Sequence, residues 1–333
     1  MAYTMGEKIN LGLGLQEVGD VENAVEPQIW IPGRAPTTLR PEVDKTLIRE
    51  TRATRANSQG SVITSQRGVG NIEFNFRVIS IGYILYNLLG KCESESLGDG
   101  VYKHTFTINQ DDVFFNLLTA ALSRPGGQDY TYPGTQGGNL TIRTPQDDLL
   151  NATLDFGAIK RETASDYTVD FDENDHYFRN HDVEIKIADT IEDLAGATAA
   201  DLNSLEQAIN NNRDFRQGLG RRHPRKMYTK LFEITGRMEL DREDENYEDI
   251  FYNNESKAMR VTYTRDDKDI GGGKNPKIQI TYPLITFSGF EPNRPLDDVE
   301  QQTIDYTAHA DNEGNQFEIV IENTQPSYEP AES

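Results

Sequence analysis

The sequence predicts a mainly β chain with short flanking helices, built as two tandem copies of one unit. Three observations carry that prediction. Apolar and polar residues alternate in short stretches along much of the chain, as in Ile72, Phe74 and Phe76 and again through residues 101–108. Two segments, 47–74 and 202–240, share one layout of strand, polar loop and strand. Both end on the same pattern: Gly70, Asn71, Ile72, Glu73, Phe74 in the first and Gly236, Arg237, Met238, Glu239, Leu240 in the second. Their loops are basic. The first holds Arg49, Arg52, Arg55 and Arg67; the second holds Arg213, Arg216, Arg221, Arg222, Arg225 and Lys226. A second pair of related stretches, 183–190 (VEIKIADT) and 317–324 (FEIVIENT), closes each unit. The resulting division is an extended arm over 1–40, a first unit over 41–195, a second over 196–324 and a mobile tail over 325–333.

A length of 333 residues leaves ample material for two small cores. Acidic residues outnumber basic ones by 55 to 33, for a formal net charge of -22. That excess argues against general nucleic-acid binding, which needs spread positive charge. Twelve lysines against 21 arginines give an acidic, lysine-poor surface that suits concentrated salt; an ordinary acidic mesophilic protein fits the same composition. The lone Cys92 excludes an internal disulfide and any multi-cysteine zinc site. No apolar run approaches the ~20 residues of a membrane span, and the first residues lack a signal-peptide core.

In chain order, Pro27, Pro32, Pro36 and Pro41 punctuate the arm around one short strand at 28–31. A glycine-rich phosphate loop at 11–15 fails, lacking a preceding strand and a Gly-Lys-Ser/Thr. Residues 72–78 form a strand. Ser80 caps a helix through Leu89 that stops at Gly90, and 111–122 reads as a second helix. Residues 140–142 and 151–159 pair across the turn at 145–148, and 166–182 is an acidic loop. In the second unit the apolar spacing of Leu202, Leu205 and Ile209 fits a helix, but the hairpin layout calls for a strand. An acidic-started helix follows over 241–251, with Tyr247, Ile250 and Phe251 as its core face. Strands at 258–264, 277–282, 284–290, 301–310 and 316–321 complete it.

No catalytic constellation emerges, and no cofactor or metal is expected. His104 sits in an alternating strand as a sheet residue. His176 and His181 lie among acidic residues, but an EF-hand begun at Asp170 would need glycine at Asp175 and glutamate at His181. The default is a solvated acidic loop. The cluster 221–226 beside Tyr228 has the composition of a nucleic-acid patch, yet the overall charge favours a protein partner. That partner is another copy of this chain, with 166–175 and 241–249 as acidic receivers for the basic loops.

Several stretches resemble tail tube proteins of long-tailed, non-contractile viruses. They are 12–20 (GLGLQEVGD) with 29–33 (IWIPG), 81–85 (IGYIL) followed by 102–106 (YKHTF), 202–212 (LNSLEQAINNN), and the closing segment 301–324. The resemblance implies two β-sheets packed crosswise in each unit, with a helix at the flank and a long hairpin loop that engages the next ring. It further implies a non-enzymatic virion protein, made in the host cytoplasm, whose rings stack into a tube that DNA traverses without specific binding. Tape-measure, tail-terminator and baseplate proteins are then its other partners. Where single-unit members form hexamers, two units per chain imply a trimer with pseudo-sixfold symmetry. A non-catalytic carbohydrate- or polymer-binding β-module is the alternative.

Overall fold

The structure, a computed structural model, describes residues 6–17, 19–51, 55–113, 116–164, 166–296, 299–312 and 314–330. In the first half the strands are β1 (Asn10–Leu15), β2 (Ile29–Ile31), β3 (Arg40–Ile48), β4 (Gly60–Asn75), β5 (Gly90–Gly98), β6 (Val101–Ile108), β7 (Leu118–Ser123), β8 (Tyr130–Thr144), β9 (Asn151–Ala158), β10 (Glu162–Thr163) and β11 (Val183–Ala188), with α1 (Ser80–Leu89) after β4. The second half holds β12 (Ser204–Asn210), β13 (Asp214–Arg216), β14 (Lys226–Tyr228), β15 (Glu233–Asp241), α2 (Asn246–Tyr252), β16 (Ser256–Thr264), β17 (Lys277–Asn293), β18 (Gln301–Ala308) and β19 (Glu318–Asn323). The chain is mainly β and its sheets are antiparallel, as the alternation predicts.

Two long rows of strands organise the molecule. The first runs β3-β4-β9-β8-β12-β15-β18-β17, every neighbour antiparallel. The second runs β5-β6-β19-β17-β16-β11, also antiparallel throughout. β17 serves both, its first part in the second row and its last part in the first. Alternation decides which side chains meet: Ile72, Phe74, Leu154, Phe156, Ile209, Met238 and Tyr306 are all buried in one continuous core. Each such large apolar side chain contributes about 1.5–3 kcal/mol on burial.

Within the first row one order occurs twice, β3-β4-β9-β8 and then β12-β15-β18-β17. The register recurs as well. Gly70 faces Phe156 across β4 and β9, and Gly236 faces Tyr306 across β15 and β18. Both glycines leave room for a neighbour: a Cβ on Gly236 would overlap the Tyr306 ring, and one on Gly70 would overlap Leu39. The register then shifts between Gly137 and Leu140 on β8, and between Phe287 and Gly289 on β17, at the matching step. β8 pairs directly with β12, so the two quartets join in one sheet.

α1 ends at Gly90 as expected, in the left-handed region at φ 81°, where glycine carries no steric penalty. Its start differs from the sequence reading. Ser80 makes no local cap; instead the Asp175 carboxylate accepts hydrogen bonds from the Ile79 and Ser80 N–H groups and from the Ser80 hydroxyl. A residue 95 positions away thus satisfies the helix terminus. α2 begins later than 241 and presents Tyr247, Ile250 and Phe251 to the core.

Three expectations are corrected. Residues 118–123 form β7, not a helix, because the run is buried throughout, paired by β1 on one side and β8 on the other. A short apolar run buried on both faces has no diagnostic period. The arm is not merely extended: β1 is inserted beside β7 and β2, with Leu11, Leu13 and Leu15 buried. Residues 325–330 are docked through Tyr328, fully buried against Gly82, its hydroxyl donating to the Ile79 carbonyl at 3.0 Å, and 331–333 lie outside the described residues. Ser204–Asn210 is a strand, and the hairpin layout prevails over helical spacing.

Candidate assembly surfaces

The first basic hairpin is a two-stranded ribbon that leaves the body of the protein. Beyond Gln66, β4 touches only β3, and Val43, Leu47, Val62 and Ile63 are exposed on it. Arg49 and Arg55 are exposed near its tip; Arg52 lies outside the described residues. Arg67 is at the base on the polar face, bonded to Glu42 and lying 5.3 Å over the Phe215 ring.

The second basic loop does not project in the same way. It folds back over the polar face of the first row. Arg213 is bound to Asp155 at 2.9 Å, with its side chain 13% exposed. Phe215 lies over Gly157, where any Cβ would strike it, and Met227 packs with Leu117 and Ile159 in a small second core. β13 and β14 make a short ribbon there. The Gln66 N–H donates to the Arg222 carbonyl at 2.7 Å, tying the two basic segments together. Arg216 stacks on Tyr228 at 4.4 Å, and Arg221 reaches Glu22 at 2.8 Å. Arg222, Arg225 and Lys226 are exposed. The ten basic residues therefore divide: Arg67 and Arg213 brace the fold, Arg216 and Arg221 are engaged by Tyr228 and Glu22, Arg49, Arg55, Arg222, Arg225 and Lys226 are exposed, and Arg52 lies outside the described residues.

The acidic segment 166–182 is not a uniformly solvated loop. Asp175 is 3% and Asp182 8% exposed. Burial pushes the Asp175 carboxyl above its ordinary pKa, opposed by the Ser80 hydroxyl and the two N–H donors. Asp182 is gripped by Arg179 at 2.7 Å, and Arg265 bonds Asp267 at 2.9 Å. Asp175 is thereby removed from the expected receivers. Among the described residues, no group of three or more His, Cys, Asp or Glu is placed to hold a metal. His104 accepts at Nδ1 from the Ser94 hydroxyl and donates from Nε2 to the Gln325 carbonyl, both at 2.8 Å.

The first row has two outer strands. Among the described residues β3 pairs only with β4, and residues 287–293 of β17 pair only with β18. Its outward face is polar. Glu73, Asp155, Glu206, Glu239 and Asp305 stand there, with Arg143 joined to Glu206 and Arg237 to Asp305, each at 2.7 Å. A family model described as phage tail tube protein matches residues 6–308.

The chain belongs to the phage tail tube protein family. It is a structural component of the virion tail. No curated protein matches it. No helix among the described residues of this tail tube protein is long and apolar enough to cross a membrane. Sequence reasoning missed one useful signal. Residues 153–158 (TLDFGA) of β9 and 303–308 (TIDYTA) of β18 are related, and they occupy matching places in the two quartets.

Proposed function

We propose that this chain closes into rings that stack as a hollow tail tube through which the viral genome is delivered. The observation that carries the reading is the repeated quartet. Its first copy ends on β8 and its second begins on β12, and those strands pair. The outer strands β17 and β3 are the matching end and beginning, left open in a single chain. An open edge is an aggregation hazard unless something pairs or covers it, and closure into a ring removes it.

Two tube units arose here by duplication, residues 41–195 and 196–324, so three chains make a pseudo-sixfold ring. Strand geometry supports that number. With eight strands per chain, three chains give roughly 24 strands, a barrel about 45–50 Å across the backbone. Two chains give about 16, the size at which porins enclose only an aqueous channel. The basic ribbon reaches along the axis to the next ring, and tape-measure, terminator and baseplate proteins meet the ends. Electron microscopy of the purified chain should reveal rings or hollow filaments, and the mass of an isolated ring should equal three chains. Six full chains per ring would overturn the duplication, and a protein that stays monomeric at high concentration would overturn the ring.

A further inference from the structure

The internal junction between β8 and β12 is a template for the junction between chains. There Leu140 faces Ile209, Thr141 faces Ala208, Ile142 faces Gln207 and Arg143 faces Glu206. The matched registers convert these positions. Gly70 with Leu39 corresponds to Gly236 with Gln207, because Thr38 bonds Asn71 in continuation of the β3 ladder. Phe156 with Gly137 corresponds to Tyr306 with Phe287, and after the shared register shift Leu140 corresponds to Phe290.

We infer that β17 of one chain pairs antiparallel with β3 of a second copy in a single register: Phe290 opposite Pro41, Glu291 opposite Arg40, Pro292 opposite Leu39 and Asn293 opposite Thr38. This rests on the ring reading and adds its residues. Three properties of the two edges fit. Glu291 and Arg40 are exposed and opposite in charge, and each stands on the polar face, Glu291 in line with Thr303 and Arg40 with Val69. Glu291 shares its neighbourhood with Glu239 and Asp305, where Arg237 is the cation between them, so an incoming Arg40 meets unbalanced negative charge.

Hydrogen bonding agrees. Thr38 directs its N–H to Asn71, so by alternation the nitrogens of Leu39 and Pro41 face the open edge. At the template, Asn211 directs its N–H to Gly138, which puts the nitrogens of Gln207 and Ile209 toward β8 in the same sense. Proline at 41 and 292 removes one donor from each edge, as edge strands that must not pair at random do. In the stated register the Leu39 N–H exchanges its long bond to the Thr37 hydroxyl, 3.3 Å in the single chain, for the Pro292 carbonyl, and the Phe290 N–H donates to the Pro41 carbonyl. Glu291 and Arg40 then form a pair without hydrogen bonds between their own backbones, the kind whose side chains stand closest.

The test is Arg40→Cys with Glu291→Cys in the full chain, oxidised after assembly. Cβ atoms directly opposite in such a pair are ~4.5–5.5 Å apart, near enough for a disulfide after small adjustment. The native Cys92 is buried and does not compete. Covalent oligomers that end at one closed ring, absent from either single variant, are the expected result. Rings that form yet do not cross-link would overturn the register while leaving the ring reading intact; absence of rings in the parent chain would overturn both. A second pair of variants guards against a folding defect. Arg40→Glu or Glu291→Arg alone should weaken each junction, up to about fivefold, and the two together should restore it. A double exchange no better than either single reversal counts against the pairing.

Discussion

His104 lies on β6 with both ring nitrogens engaged, and burial holds its pKa below the ordinary 6.5. A neutral folded imidazole and a titrating unfolded one have a definite consequence. Stability is full above pH 6.5 and declines as pH falls toward the lower folded value, because the unfolded chain binds the proton first. His176, also held low by burial, adds to the same decline. Thermal unfolding between pH 8 and pH 5 should therefore fall less steeply for His104→Gln than for the parent; equal slopes would remove His104 from the account. Gly236 makes a second residue-scale case. Its missing side chain is the space the Tyr306 ring occupies, so Gly236→Ala should cost about 1–3 kcal/mol by overpacking, read from denaturant midpoints. An unchanged midpoint would mean that the ring moves aside freely.

The two basic segments are alike in sequence and different as elements. β3 and β4 extend as a ribbon, whereas the second loop has Phe215 and Met227 to fold it back onto the sheet. Arg213 serves that folding. Its truncation to alanine removes a charge-assisted bond to the half-exposed Asp155, and a loss of about 1 kcal/mol in stability should follow. Arg221, Arg222 and Arg225 are exposed and suit contact with another ring. Changing all three to glutamate should leave rings intact in electron micrographs and block tube growth. Tubes of parental length would show that these arginines do not join rings. A single exposed ion pair is worth only ~0–1 kcal/mol and is screened by salt, so the effect depends on repetition around the ring.

In the ring proposed above, the polar face of the eight-strand row lines the channel, since the opposite face is core, with the second basic loop lying over its Asp155 and Gly157. Glu73, Glu206, Glu239 and Asp305 project there against Arg143 and Arg237. In the proposed tube such a wall would repel a duplex carrying one charge per ~1.7 Å and let it pass without sticking. A reconstruction of the assembled tube should place these carboxylates on the channel; a lumen lined mainly by arginine and lysine would contradict it. The same reconstruction counts chains per ring.

The β class, the helix ending at Gly90, the two strand–loop–strand segments and the family resemblance were legible in the order of residues alone. Each rests on information held within a few neighbouring residues: alternation, a glycine free to turn left-handed, a run of arginines. The rest came from long-range packing. Residues 118–123 became a strand because β1 and β8 were there to pair with both sides, and the α1 terminus found its acceptor in distant Asp175. Arg213 and Arg222 belong to the same basic run, yet one is held by Asp155 and the other is open to solvent. The order of strands in the first row joins segments far apart in the chain, and so do its two open edges. Local patterns fix which face of a strand is apolar; which strand lies beside it depends on contacts that no short stretch encodes.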